Sequence, residues 1–391
     1  MKIAIVGAGI SGLTAAYYLS QRNEVTVFEK DSTAGGHSHT HAVRDAAGEL
    51  GLDTGFIVYN ERTYPNFTRL LAELGVATQP GEMSFSALCR RCRIEYCGSS
   101  PRGLFAKPAQ LFRPSHYRML LDILRFNREG VRALEDSRLA GRTLGEFLGE
   151  RGYSAAFVRH YILPMGGAIW SSDPAAFESF PAPYFLRFFH NHGLLSVSGQ
   201  PEWRTISGGS RNYVKALTRH LGDRLRLNAL ARSIRRRPNG VDVTLGDGSR
   251  SAFDAVVIAA HSDQALAMLA DPGEAEAAAL AKIRYQPNEA VLHTDERLLP
   301  RSRHARASWN VHLEDCERRG GLLSMTYLLN RLQRLDVPTS YCVTLNDRGA
   351  IAPEKILARI AYDHPVYTHE TLEAQRTLKK ANGERRTYYC G

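Results

Sequence analysis

The apolar run Ile3-Ala4-Ile5-Val6 is short, unalternating and closed by glycine. It predicts a strand over 2–7 that is buried on both faces, as in a parallel sheet. Leu13, Ala15, Ala16 and Leu19 then recur at helical spacing, so a helix opens directly behind the strand. Glu24-Val-Thr-Val-Phe-Glu29 predicts a second strand. The middle of the chain repeats this alternation. A helix through Tyr213, Leu217 and Leu221 precedes strands over 224–227, 231–235, 241–245 and 254–260, the last almost wholly apolar. Residues 105–134 read as one or two amphipathic helices with a basic face. Residues 271–281 read as a helix with Pro272 near its first turn. The proline-rich stretches at 181–183 and around Pro300 read as loops.

The junction of the first strand and helix carries Gly7-Ala8-Gly9-Ile10-Ser11-Gly12, a G-x-G-x-x-G. In a strand–turn–helix setting each glycine has a physical task. The first permits the tight turn, the second lets a pyrophosphate approach the backbone, and the third lets helix pack on strand. The helix N-terminus then presents free N–H groups and a positive dipole end to phosphate. The second strand ends in Glu29, 17 residues past Gly12, where a dinucleotide site needs an acceptor for ribose hydroxyls. A carboxylate there disfavours a 2′-phosphate, and so NADP.

Six residues beyond Glu29 stand Gly35-Gly36-His37, followed by Leu52-Asp53-Thr54-Gly55-Phe56. With these the chain resembles the flavin-dependent amine oxidase superfamily, which includes protoporphyrinogen oxidases and phytoene desaturases. The order Ile206-Ser207-Gly208-Gly209, helix, strand, hairpin and apolar return strand is similar to that superfamily as well. The resemblance covers almost the whole chain. It implies an α/β fold: a Rossmann-like FAD-binding domain interleaved with an α+β substrate domain. It implies FAD as cofactor, held by Gly7, Ala8, Gly9, Ile10, Ser11, Gly12, Glu29, Lys30, Gly35, Gly36, His37, Ser38, Thr54, Gly55 and Phe56, with Ala231 at the adenine through its backbone. The superfamily commonly places Arg after the paired glycines, and this chain has His37. Gly-Gly-His-Ser-His-Thr, Asp-Thr-Gly-Phe-Ile-Val-Tyr-Asn, Gly-Gly-Ser-Arg-Asn-Tyr-Val and Thr-Tyr-Leu-Leu-Asn-Arg-Leu-Gln are similar to a bacterial branch of NAD/FAD-binding proteins. That branch is associated with cyclopropane-fatty-acid synthase-like methyltransferases, which implies a lipid-modifying role. The resemblance divides the chain into an FAD domain of 1–75, 205–265 and 376–391 and a substrate domain of 76–204 and 266–375. The closing segment Arg386–Gly391 looks like the strand leading into the last flavin motif of the superfamily. The sequence stops at that motif's first glycine, so the chain is expected to be a fragment that holds FAD poorly.

Length and composition agree with a two-domain globular protein: 391 residues, 43% hydrophobic and 23% charged. No apolar run approaches the ~20 residues of a membrane helix, and no signal-peptide cleavage site follows the first strand. A cytoplasmic location is expected. The net charge of +10 is uneven. Twelve Lys/Arg stand against five Asp/Glu between Arg90 and Arg142. A basic amphipathic helix there suits the inner surface of an anionic membrane, and equally a solvated helix face. No nucleic-acid-binding module accompanies the charge. Cys89-Arg-Arg-Cys92, with Cys97 nearby, has metal-ligand spacing. A zinc site wants four ligands, and no second pair stands in the sequence. Reduced thiols on a hairpin are expected, and no metal is assigned. His37, His39 and His41 alternate and would share one face if they lay on a strand.

A flavin carries its own redox chemistry, so the sequence names a cofactor more sharply than a substrate. No catalytic residue is assigned. Trp170, Trp309-Asn-Val-His312 and Thr326–Asn330 are candidates for the substrate side, and equally for core. Three functions follow: FAD-dependent hydride removal from an acyl-lipid-like substrate, oxidation of a soluble amine, or a flavin-fold lipid-binding or assembly protein without turnover.

Overall fold

The computed structural model describes residues 1–46, 48–171, 173–317 and 320–391. The predicted opening strand is Lys2–Val6, buried from Ile3 onward, and the helix behind it is Ile10–Leu19. Lys2–Val6 sits at the centre of a parallel sheet in the order Leu225–Arg226, Glu24–Phe28, Lys2–Val6, Ala255–Ile258, Thr387–Tyr389. Central position explains the unalternating apolar run, since both faces of the strand are covered. One face packs on the helices Ile10–Leu19 and Arg211–Leu221 through Ile5, Leu13, Tyr213 and Leu217. The other packs on the antiparallel sheet Ala231–Arg237, Gly240–Leu245, Arg250–Phe253 through Val6, Phe28, Ile234 and Val243. The chain therefore enters this unit three times, and its last described strand, Thr387–Tyr389, forms the sheet edge.

The intervening segments build a mixed seven-stranded sheet in the order Ile356–Pro365, Tyr285–His293, Cys342–Leu345, Ser324–Leu328, Trp309–Leu313, Phe85–Cys89, Ile94–Cys97. A layer of helices lies beside it, among them Pro114–Ala133, Leu163–Trp170 and Ala182–Asn191. The molecule is thus a Rossmann-like dinucleotide-binding unit interleaved with an α+β unit, the fold class the sequence predicts.

Several local expectations change. Residues 181–183 are not a loop: Pro181 caps the helix Ala182–Asn191 and Pro183 lies in its first turn. Proline is tolerated there because the first helical N–H groups have no partner within the helix. Residues 271–281 begin as a turn, with the helix running Glu274–Lys282; the Gly273 N–H donates to the Glu276 carboxylate at 3.0 Å. The three alternating histidines do not share a strand face, because the strand Thr40–Asp45 starts after His39. Trp170 is core. It is 8% exposed, and its ring lies 4.8 Å from the rings of Phe180 and Phe188.

Candidate cofactor site

At the tip of the first strand the three glycines meet three different surroundings. A Cβ on Gly12 would stand 1.9 Å from the Gly7 carbonyl oxygen, and one on Gly7 would stand 2.4 Å from the Ala259 oxygen. Helix, turn and return strand close on each other only without those carbons. A Cβ on Gly9 would meet nothing within 4 Å. Gly9 has φ −70° and ψ −179°, open to any residue. Its missing side chain is therefore not required by the fold. It keeps space clear in front of the N-terminus of Ile10–Leu19, where Ile10, Ser11 and Gly12 begin the helix and a phosphate is favoured.

The wall of this space is the Gly35-Gly36 pair. Gly35 donates its N–H to the Ala8 oxygen at 2.8 Å, bridging the two loops, and both glycines have positive φ, 126° and 56°. A Cβ on Gly36 would stand 3.3 Å from the Gly9 Cα. Ser38, 6% exposed, accepts from the Tyr213 hydroxyl and ties this loop to the helix Arg211–Leu221. Glu29 is 8% exposed. One carboxylate oxygen accepts from the Ala8 N–H at 2.7 Å and the other from the Asp31 N–H at 3.1 Å. Each oxygen keeps a lone pair for ribose hydroxyls beside the pyrophosphate space. Lys30 next to it is exposed. Ala231, 3% exposed, opens the strand Ala231–Arg237 in the cluster that holds Val6, Phe28 and Ile258.

The loop Thr54-Gly55-Phe56 joins the two units. The Phe56 N–H donates to the His37 oxygen at 2.9 Å, and a Cβ on Gly55 would meet that oxygen at 2.1 Å. Thr54 Oγ1 lies 2.9 Å from His39 Nδ1 and 3.1 Å from the Tyr362 hydroxyl. His37 faces a cleft of about 410 Å³ that also holds His261, Tyr285, Asp363 and Tyr367. Its ring centroid lies 4.7 Å from Tyr362 and 5.6 Å from His364. Desolvation, and then His261, lower the His37 pKa; the same burial, and then His37, bring His364 down to about 4. Both rings are therefore largely neutral near pH 7, and the cleft carries little positive charge from them.

The part Asp53 plays shows only in the structure. It is fully buried and accepts from Thr40 Oγ1 at 2.6 Å, from Ser210 N–H at 2.9 Å and Ser210 Oγ at 2.8 Å, and from Gln333 Nε2 at 3.3 Å. One carboxylate thereby pins the Thr54–Phe56 loop, the Gly208-Gly209 turn and the substrate unit together. Its sequence signal was its place one residue before Thr54-Gly55. Burial pushes its pKa from 3.8 up to about 6, against the hydrogen bonds of Thr40 and Ser210. A raised acid contributes stability that is full below the unfolded pKa and is lost as pH rises through the folded one. The stability of the protein relative to Asp53→Asn should accordingly fall by roughly 2–2.5 kcal/mol between pH 4 and pH 7. Denaturant melts of both proteins across that range check this; a constant difference would show that Asp53 does not titrate there.

Together the strand–glycine turn–helix, the acid at the end of the next strand and the paired-glycine wall define a dinucleotide-binding unit of the Rossmann type. Comparison with known proteins makes the class specific. Residues 10–336 match the model of the flavin-containing amine oxidoreductases, and the chain belongs to that family. It is 30% identical over 267 residues to the Mycobacterium tuberculosis protein named as flavin-containing monoamine oxidase AofH. That match spans 66% of this chain and 56% of the relative, so it reaches little more than half of that relative's length. Among solved structures, a fatty acid isomerase from P. acnes that produces CLA superposes with a TM-score of 0.69 and 18% identity, over 100% of this chain and 93% of that one. Cyclohexylamine oxidase from Brevibacterium oxydans gives 0.69 and 15% over 99% and 92%. These two likenesses show the fold. FAD is the cofactor the family implies, and the open space at Gly9 beside the free lone pairs of Glu29 fits it.

Proposed function

We propose that the protein is an FAD-dependent oxidoreductase that removes hydride from a hydrophobic, acyl-lipid-like substrate. The observation that carries this reading is one face of the seven-stranded sheet. Phe85, Trp309, Tyr327, Val343, Leu292 and Ala358 stand opposite one another in register, a row without charge. On the same face Tyr362 reaches the Thr54 loop, and Leu52 and Ile57 pack from the dinucleotide unit. Phe85, Trp309, Tyr327 and nearby Tyr161 keep part of their surface uncovered. Burial nevertheless raises the pKa of both phenols, Tyr161 and Tyr327. The rings alone would also attract an ammonium group; the row holds no carboxylate to pair with one, and this favours hydrocarbon.

When bound, the flavin supplies the two-electron redox chemistry. Gly9 and the helix N-terminus would hold its pyrophosphate, Glu29 its adenosine ribose, and His37 with Thr54–Phe56 would border its path into the cleft. The partly uncovered rings of Phe85, Trp309 and Tyr327 would orient the chain to be oxidised, and the fully buried Leu292 and Val343 behind them exclude water. Anaerobic mixing of flavin-loaded protein with acyl lipids and, separately, with primary amines tests the reading by bleaching of the flavin band. Lipids should bleach it. Bleaching by amines alone would transfer the protein to the soluble-amine class, and bleaching by neither would leave a flavin-fold binding protein.

The same reading places the protein peripherally on an anionic membrane at its cytoplasmic side. Among the described residues, no helix is long and apolar enough to cross a membrane. The turn Pro108–Phe112 and helix Pro114–Ala133 instead expose Phe112 (85%), Leu121 (62%), Leu111, Tyr117, Leu124 and Val131. Arg118 and Arg125 are partly neutralised by the buried Asp122, while the same helix also carries Arg128 and Arg132, so apolar insertion and charge attraction act together. Phosphatidylglycerol vesicles should co-sediment the protein, and Phe112→Ser with Leu121→Ser should weaken this by roughly tenfold or more, at about 1–2 kcal/mol for each apolar side chain removed. Equal binding by wild type and variant would return the patch to a solvated helix face.

A further inference from the structure

We infer that Cys89, Cys92, His160 and Cys316 form a structural zinc site, closed by four protein ligands and separate from the cofactor cleft. The sequence supplies only the Cys-x-x-Cys half. The fold supplies the rest: Cys89 ends the strand Phe85–Cys89, which pairs in parallel with Trp309–Leu313, placing Leu313 opposite Cys89. The two segments stay side by side beyond the strands, with the Arg90 N–H donating to the Leu313 oxygen at 2.9 Å. Cys316 thereby arrives next to Cys92, their sulfurs 3.2 Å apart. His160 comes from the helical layer, on the π-helical turn Val158–Ile162, an irregularity frequent at functional positions. One ligand atom from each of the four residues lies within 4.8 Å of all the others. Thiolates on a tetrahedral zinc, with Zn–S of about 2.3 Å, sit about 3.8 Å apart.

Two further observations point to a cation. His160 is 5% exposed, and neither ring nitrogen makes a well-formed hydrogen bond, an expensive state for a buried imidazole without a ligand. The Cys92 N–H points at Cys89 Sγ, at 3.5 Å, as donors to metal thiolates do. The charges also balance. Zinc with three thiolates and a neutral imidazole carries one negative charge. The rim holds four guanidiniums against three carboxylates: Arg90 on Glu314, Arg91 on Asp315 and Glu317, Arg159 on Glu317, and Arg113 on the Cys92 carbonyl. Binding releases the three thiol protons to solvent and involves no oxidation. With no open coordination position, the ion staples the helical layer to the sheet edge rather than performing chemistry.

Wild-type protein, purified under reducing conditions from zinc-supplemented cells, should carry one equivalent of zinc per chain by elemental analysis. Its cobalt-exchanged form should show the intense thiolate charge-transfer and tetrahedral ligand-field bands. Cys316→Ser and His160→Ala should lose the equivalent. Cys97→Ser, a neighbouring thiol outside the cluster that contacts Ser99, should keep it. Absence of zinc in the wild type, a cobalt spectrum without thiolate bands, or a Cys92–Cys316 disulfide in freshly purified protein would overturn the assignment. The two wild-type measurements decide the matter even if a variant fails to fold.

Discussion

Gly9→Val should leave the protein folded and cost it the flavin. The backbone at Gly9 is ordinary for any residue, and a Cβ there touches nothing. The apo protein has no reason to resist the change. The valine side chain would instead stand in the space in front of the helix N-terminus, where the pyrophosphate must approach the backbone. Excess volume at a close contact costs about 1–3 kcal/mol, so FAD affinity should fall by roughly ten- to hundredfold or more. Circular dichroism and thermal melting should match the apo wild type, and the purified variant should carry far less flavin than the wild type. A variant that keeps its flavin would move the pyrophosphate away from Gly9. A variant that unfolds would make the glycine a demand of the fold.

The opposite behaviour is expected of the next glycine in the motif. Gly12→Ala places a methyl 1.9 Å from the Gly7 carbonyl oxygen and 3.1 Å from the Ala259 Cβ. The obstacle is backbone, so it cannot rotate aside. The helix Ile10–Leu19 must lift from the strand, opening the contacts of Leu13 and Ala16. We expect a loss at or beyond the upper end of the usual overpacking cost, about 3 kcal/mol or more, with flavin lost as a consequence. Chemical denaturation of the apo proteins separates the two glycines: Gly12→Ala lowers the midpoint and Gly9→Val does not. If both melt like the wild type, the helix is not seated on the strand as described.

The dinucleotide unit was legible because its signals are local. A buried run, a glycine turn and an acid at the next strand's end lie within Lys2–Glu29, and each follows from one element's geometry. The structure places Gly7, Gly9, Gly12, Glu29, Gly35 and Gly36 around one space. Lys30 points to solvent, and Ala231 lies in the core beside Phe28. Proline misled at 181–183 because composition alone does not distinguish a loop from a first helical turn. Trp170 could not be placed by type, since an aromatic residue serves a core and a cage equally. Asp53 was visible as part of Asp53-Thr54-Gly55, but its role was not, because its partners, Thr40, Ser210 and Gln333, come from three separated segments. The cysteine pair looked incomplete for the same reason. Cys316 stands 224 residues from Cys92, and only parallel strand pairing brings it alongside.

The central claim is that this fold holds FAD with its adenosine ribose on Glu29. The most direct test is a paired titration of FAD and FMN into apo protein and into Glu29→Ala, read by calorimetry. FMN lacks the adenosine that Glu29 would bind, and a hydrogen bond to a charged group contributes about 1.5–3 kcal/mol. The wild type should prefer FAD, and the variant should lose roughly tenfold or more for FAD while its FMN affinity stays level. Equal weakening of both ligands, or an FAD affinity unmoved by Glu29→Ala, would contradict it.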